Sequence, residues 1–249
     1  MQIVFTFKQK NKTMRFKVLV VAVILLFFVP FINAQEQKEV NVAPFSQVKF
    51  EGSAKWVLIP SGTEKVVIES NKEDVFDYIN IKNEGNTLVI STTDKNKNIT
   101  KLFKSVTINV YFTSINSVAL SGAGSVRCEE PFSAGGMTAT LRGTGNMYLD
   151  LNCSTFTGNM FGTGSLDVKG TATNAVVRVE GVGGFDGFDL VTNNMDVTVS
   201  GVGGARVHAT NQLTATLNGV GSIRYKGDPE SKNFDTNGLG NIKKADDNK

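Results

Sequence analysis

Apolar and polar side chains alternate through the second half of this chain, and pairs of glycines interrupt the alternation at nearly even intervals. Seven segments share a Gly-x-Gly core: Ser121–Val126, Arg142–Met147, Phe161–Leu166, Glu180–Phe185, Ser200–Ala205, Asn218–Ile223 and Asn237–Ile242. The glycines are Gly122 and Gly124, Gly143 and Gly145, Gly162 and Gly164, Gly181 and Gly183, Gly201 and Gly203, Gly219 and Gly221, and Gly238 and Gly240. The first members of successive pairs are 21, 19, 19, 20, 18 and 19 residues apart. Fourteen of the chain's 25 glycines fall on these positions, too regular a placement for scattered turn glycines. Two residues before each first glycine stand Leu120, Leu141, Met160, Val179, Val199, Leu217 and Thr236. Two after each second glycine stand Val126, Met147, Leu166, Phe185, Ala205, Ile223 and Ile242. Mostly polar residues fill the positions between, which is the period of a half-buried strand and not of a helix.

Each unit therefore reads as strand, Gly-x-Gly corner, strand and short polar turn. A unit this short cannot shield its own apolar face, whereas layers stacked about 4.8 Å apart bury a continuous column. The pattern predicts an all-β fold, a parallel β-solenoid (β-helix-like) with about seven Gly-x-Gly rungs. The paired glycines share the parity of the apolar positions, so each allows either a sharp bend or a close approach of two layers. A phosphate loop is excluded at Gly181-Val182-Gly183-Gly184, because no helical pattern follows to supply an anion-binding N-terminus. The run Gly183–Asp189 faintly resembles calcium-binding nonapeptides, but the spacing is about twice theirs and the other units lack the aspartates. The residue inside four corners is large and apolar: Val182, Val202, Val220 and Leu239. If the corner flips parity these are core, the expected placement; if parity holds, they form a surface stripe suited to docking or oligomer contact.

Residues 35–117 lack the glycine signature but stay β-rich. Val48–Phe50, Trp56–Ile59, Val66–Ile68, Thr87–Ile90 and Val106–Phe112 read as short strands. Gly52-Ser53-Ala54 resembles a decayed corner, while Ser61-Gly62-Thr63 and Glu84-Gly85-Asn86 read as turns. Lys72–Asp77 has a faint helical look, and Asp94–Lys104 is a polar surface loop. This part is the expected cap over the end of residues 118–249, continuous with them in one domain.

The first residues change the reading of charge. Lys8, Lys10, Lys12, Arg15 and Lys17 precede an apolar run from Val18 to Ile32 and a small residue, Ala34. That order is the layout of a secretory leader, expected over residues 1–34 and removed after Ala34, and Met14 would itself open a compact one. Gln35 follows, not Cys, which argues against a lipid-anchored start. Without those five basic residues the 26 basic and 23 acidic side chains become 21 against 23, a net charge near −2. The basic pI thus belongs to the leader, and nucleic acid is excluded as a partner on charge. No second apolar run is long enough to span a bilayer, so no transmembrane span is expected after leader removal. Cys128 and Cys153 occupy non-equivalent places around the glycine pairs, leaving a disulfide and two separate thiols both open. One histidine, His208, and no Cys/His spacing leave no zinc site and no expected metal or cofactor.

The run Trp56-Val-Leu-Ile-Pro-Ser-Gly-Thr-Glu-Lys-Val-Val-Ile-Glu69, the strand Asn86–Ile90, the serial Gly-x-Gly units and the closing Asn218–Pro229 and Asn237–Ile242 together resemble one family. It is the auto-transporter adhesin head GIN domain family, a bacterial domain of unknown function found in exported proteins of Gram-negative bacteria. The resemblance covers roughly residues 40–247. It implies a β-solenoid-like fold and an envelope role, in the periplasm, at the outer membrane or on the cell surface, with no catalytic residues to carry over. The serine before Gly-x-Gly is replaced by Arg142, Phe161, Glu180, Asn218 and Asn237, so a shared role for that hydroxyl is in doubt.

Two functions compete. The first is an envelope binding or structural module, adhesin-head-like, without catalysis, meeting an envelope protein or polysaccharide and open to homo-oligomer formation. Its candidate surface is the outward ladder five residues after each first glycine: Arg127, Tyr148, Asp167, Asp186, Arg206, Arg224 and Lys243. A simple solvated charged face is the bland alternative, with like charges stacked at some cost. The second is a polysaccharide lyase or hydrolase using Asp167 and Asp186, one layer apart, as a carboxylate pair. No aromatic platform accompanies that pair in a chain with one Trp and four Tyr, and His208 has no charge-paired nucleophile beside it. The expected activity is binding.

Overall fold

The structure is a computed structural model that describes residues 36–93 and 106–245. The expected leader over residues 1–34 and the expected polar loop Asp94–Lys104 lie outside the described residues. Among the described residues twelve strands join in a single sheet. They are β1 (Glu36–Asn41), β2 (Gln47–Gly52), β3 (Lys55–Pro60), β4 (Lys65–Ser70), β5 (Ile79–Glu84), β6 (Thr87–Thr92), β7 (Thr107–Phe112), β8 (Ser117–Val199), β9 (Val202–Leu217), β10 (Val220–Lys226), β11 (Ser231–Thr236) and β12 (Leu239–Lys244). Their order is β1-β4-β7-β3-β8-β2-β6-β5, with β9 on β8, β10 and β11 on β9, and β12 on β10.

This sheet corrects the expected fold class. The chain is all-β, but the sheet is mixed and curls into a half-barrel; it is not a parallel β-solenoid of repeated rungs. Three antiparallel ladders carry the difference: β1 with β4, β4 with β7, and β5 with β6. The physical reason lies in the connections. Only Gly85 and Asn86 separate β5 from β6, and Gly85 has φ +60°, so this link closes as a tight hairpin and forces antiparallel pairing. Alternation along each strand reports which face is buried, but carries no information on strand direction.

All five N-terminal strand expectations fall on observed strands, and a 3₁₀ helix (Glu73–Tyr78) occupies the faintly helical stretch. Two edge strands escaped the pattern. β1 is polar and almost wholly exposed, and β5 alternates only between exposed and half-buried side chains.

β8 runs for 83 residues, which would reach roughly 270 Å if straight. It bends instead, and the bends are where the paired glycines lie. There the pairing is parallel and in register: Gly52 opposite Gly122, Gly183 opposite Gly203, Gly203 opposite Gly221, and Gly221 opposite Gly240. Backbones meet so closely that a Cβ placed on Gly221 would lie 1.6 Å from the Gly203 carbonyl oxygen. Gly221 also has φ +157°, a conformation that L side chains rarely adopt. The bends are hydrogen-bonded between layers: the Val220 N–H donates to the Gly201 carbonyl (2.8 Å) and the Leu239 N–H to the Gly219 carbonyl (2.9 Å).

The alternation places the core as expected. Leu120, Leu141, Met160, Val179, Val199 and Leu217 are buried on one side of the bends, and Val126, Met147, Leu166, Phe185, Ala205 and Ile223 on the other. Each large aliphatic so buried contributes roughly 1.5–3 kcal/mol. Phe156 and Phe185 stack within this column at 6.3 Å between ring centroids. The exceptions are at its C-terminal end. Phe234 and Thr236 are exposed and Ile242 is half-buried, because β11 pairs only with β9 and β12 only with β10 among the described residues.

Replacing Gly221 with alanine combines a disfavoured φ with a backbone clash, and is expected to cost about 2 kcal/mol or more. Gly135→Ala, where nothing lies within 4 Å of the added Cβ, is expected to change stability by less than about 0.5 kcal/mol. Urea unfolding of both variants measures the contrast; equal midpoints would refute the close-approach account.

Candidate functional site

Outward parity puts one residue per segment in a column beyond each bend, and the structure sets these columns on one face. Arg206 lies opposite Arg224 between β9 and β10, Arg224 opposite Lys243 between β10 and β12, and Asp186 opposite Arg206 between β8 and β9. Arg127, Arg206, Arg224 and Lys243 are exposed, while Tyr148, Asp167 and Asp186 are half-buried. All seven residues of the expected ladder therefore face outward.

Four of them gather around a shallow groove of about 450 Å³ lined by Asp167, Asp186, Arg206 and Arg224 together with Ser165 and Ser222. Gly184 and Gly204 form its floor, so two adjacent layers present bare backbone where the neighbouring layers carry serine. A Cβ on Gly204 would come 2.5 Å from the Ser222 carbonyl oxygen, so the packing requires bare backbone there, while one on Gly184 would make a tight contact of 3.2 Å with the Gly204 carbonyl oxygen.

Charges in the groove are mutually anchored. The Arg206 guanidinium donates to the Asp186 carboxylate, whose other oxygen accepts the Phe188 N–H at 3.3 Å. The Ser165 hydroxyl reaches Asp167 Oδ2 and Asn146 Oδ1, both at 3.1 Å. Burial is the largest influence on Asp167 and raises its carboxyl above the ordinary value; the Ser165 hydrogen bond opposes this, and the nearby Asp186 charge adds to it. Asp186 is thus held by a guanidinium and a backbone amide, while Asp167 is held by the Ser165 hydroxyl. Arg224 has no carboxylate within ion-pair distance among the described residues, leaving a cation free at one end of the groove.

The next outward column, seven residues after each first glycine, was not singled out in the sequence, although the same parity rule locates it. Lys169 bridges to Asp150 at 2.9 Å and lies 5.8 Å from the Tyr148 ring centre, with Arg127 at 5.7 Å from the same ring. Its ammonium pKa is raised, chiefly by the Asp150 contact. Phe188 is covered likewise, by Arg206 at 5.1 Å and Lys226 at 4.6 Å. These two half-buried rings are thus engaged by cations, and neither offers a bare platform for stacking a sugar.

Elsewhere the chemistry is quiet. Cys128 and Cys153 are both free thiols; burial pushes Cys128 up to about 12 and Cys153 up to about 11, so neither is a ready nucleophile. His208 is half-buried with Nδ1 3.2 Å from the Phe188 carbonyl oxygen. Among the described residues no three His, Cys, Asp or Glu side chains converge as metal ligands, and no helix is long and apolar enough to cross a membrane.

A family model described as "Putative auto-transporter adhesin, head GIN domain" matches residues 44–229. Among solved structures, a "putative adhesin" from Bacteroides fragilis NCTC 9343 superposes with a TM-score of 0.77 at 26% identity, covering 84% of this chain and 96% of that one. A "Putative lipid binding protein" from Parabacteroides distasonis ATCC 8503 gives a TM-score of 0.67 at 24% identity, covering 85% and 96%. A "putative adhesin" from the same organism gives 0.60 at 19%, covering 84% and 96%. The latter two share the fold. No curated protein matches the chain.

The groove electrostatics are testable by carboxyl-detected NMR titration. Asp167 is expected to titrate above the ordinary aspartate value, and Asp186→Asn to lower that value by removing a like charge. Because its folded value is raised, Asp167 favours the fold below the ordinary carboxyl range and loses that contribution as pH rises through its own titration. An Asp167 value below the ordinary one would refute the burial account.

Proposed function

Because the chain belongs to the auto-transporter adhesin head GIN domain family, we propose that it is an exported cell-envelope binding module, adhesin-head-like and without catalysis, that holds a polar polymer in the glycine-floored groove. The carrying observation is the convergence of Ser165, Ser222, Asp167, Asp186, Arg206 and Arg224 on one face around backbone left bare at Gly184 and Gly204. Hydroxyls, carboxylates and guanidiniums together supply both donors and acceptors, the requirement for a polyhydroxylated chain. With Tyr148 and Phe188 already covered by cations, recognition rests on hydrogen bonds and charge, and a polysaccharide bearing carboxylates or other anions suits the unpaired Arg224.

The non-catalytic reading is supported by the state of the two carboxylates. Asp186 is committed to Arg206 and to the Phe188 amide, so it is poorly placed to act as nucleophile or acid beside Asp167. The adhesin names of the family and of the Bacteroides fragilis structure point the same way. The leader layout at residues 1–34 and the family support the envelope part of this proposal.

Binding of the purified protein to a panel of envelope and host polysaccharides tests this reading. An anionic member is expected to bind, and Arg224→Ala to weaken it about tenfold by removing one charge-assisted hydrogen bond. No released product is expected from any polysaccharide. Binding indifferent to Arg224, or cleavage abolished by Asp186→Asn, would overturn the proposal. Protease shaving of intact cells is the companion measurement for location: digestion before lysis places the chain on the surface, and digestion only after outer-membrane permeabilisation places it in the periplasm.

A further inference from the structure

The apolar residues inside the Gly-x-Gly bends are not core. Val182 is 53% exposed, Val202 54%, Val220 49% and Leu239 76%, four of the six exposed large apolar side chains among the described residues. Parity therefore holds through the bend, against the expected placement. Pairing sets the four in one column, Val182 opposite Val202, Val202 opposite Val220, and Val220 opposite Leu239. At about 4.8 Å per layer the column is roughly 14 Å long. The equivalent place in earlier segments carries Ala123, Thr144 and Thr163, so the bend itself does not demand a large apolar side chain. Contiguous exposed apolar surface of this kind marks an interface.

Flanking charges identify the occupant. Four residues after Val182 stands Asp186, and four after Leu239 stands Lys243. Four residues before Val182 stands Arg178, and four before Leu239 stands Asp235. On both flanks the sign inverts from one end of the stripe to the other, in opposite senses. At its two ends such a surface is complementary to itself turned end for end. We propose that two copies of this chain associate through the stripe about a two-fold axis crossing it between Val202 and Val220. Val182 then packs on the partner's Leu239 and Val202 on the partner's Val220, burying eight apolar side chains. Asp186 meets the partner's Lys243 and Arg178 the partner's Asp235, each pair occurring twice, as an isologous contact requires. Arg206 faces the partner's Arg224 at the centre, a like-charge contact that the Asp186 bridge to Arg206 offsets only in part, so the attraction comes from the two ends. A bilayer surface is disfavoured as occupant, because the flanks carry both signs. The contact is at the small end for stable association, so it depends on protein concentration. The inference does not rest on the ligand of the groove, and since the contact would cover Asp186, Arg206 and Arg224, dimer and polymer would compete for this face.

Sedimentation velocity of the purified protein across the micromolar range tests it without any ligand. Concentration-dependent dimer formation is expected. The double variant Val202→Asp, Val220→Asp should remain monomeric, and Val202→Thr, Val220→Thr, which keeps the branched shape and the strand, should weaken the dimer. Arg178→Asp should weaken it about tenfold, and adding Asp235→Arg should restore it by exchanging the two charges. Circular dichroism verifies that each variant folds. A monomer at every concentration, a dimer indifferent to the valine variants, or a charge exchange that fails to restore association would each overturn the proposal.

Discussion

The backbone of one glycine pair rests directly on the backbone of the next, and no side-chain atom fits between them. A Cβ would stand 1.6 Å from a carbonyl oxygen at Gly221, 1.8 Å at Gly203 and 2.1 Å at Gly183. Because these contacts join strands that pair in parallel register, they fix the height of one layer on the next. Everything else about the C-terminal half is set from there. Leu120, Leu141, Met160, Val179, Val199 and Leu217 fall into one buried column, and the residues that alternate with them along the strand, such as Arg178, turn outward. A one-residue slip at any bend would exchange the two faces.

The same constraint organises the surface. Since parity passes unchanged through each bend, the residue inside it, the residue two beyond and the residue four beyond all point outward. At Val182, Gly184 and Asp186 this yields an apolar ridge, a bare floor and a charged bank in immediate succession. The groove and the apolar stripe are thus neighbours on one face, built by three adjacent columns. Charges on the bank are held by one another, Arg206 by Asp186 and Asp167 by Ser165, which keeps the groove polar while limiting how freely its carboxylates can act.

Much of this was legible in the sequence and some was not, for identifiable reasons. The period of two around each glycine pair marked the buried positions as far as Ile223, and with them the outward facing of Arg127, Tyr148, Asp167, Asp186, Arg206, Arg224 and Lys243, but it failed at Thr236 and Ile242. The family was legible from Trp56–Glu69 and the closing Asn218–Pro229. The fold class was not. Side-chain alternation is the same in parallel and antiparallel strands, so a uniform parallel stack is the natural reading of a chain that has three antiparallel ladders among its N-terminal strands, one of them the hairpin at Gly85-Asn86. The bend residues were also misplaced. Val182, Val202, Val220 and Leu239 look like core by composition, and only the geometry of the bend reveals that they are exposed. The groove floor was not singled out, because Gly184 and Gly204 directly follow the paired glycines and carry no side chain to mark the outward column they occupy.

The layered glycine contact is tested most directly by native-state hydrogen exchange at the bends. The Val220 amide, bonded to the Gly201 carbonyl, and the Asn218 amide, bonded to the Val199 carbonyl, join one layer to the next. If the stacked glycine backbones hold the fold together, these amides exchange only through global unfolding, as slowly as core amides such as that of Leu217. Exchange at those bends as fast as in an open surface turn, with the strands on either side still protected, would contradict the account.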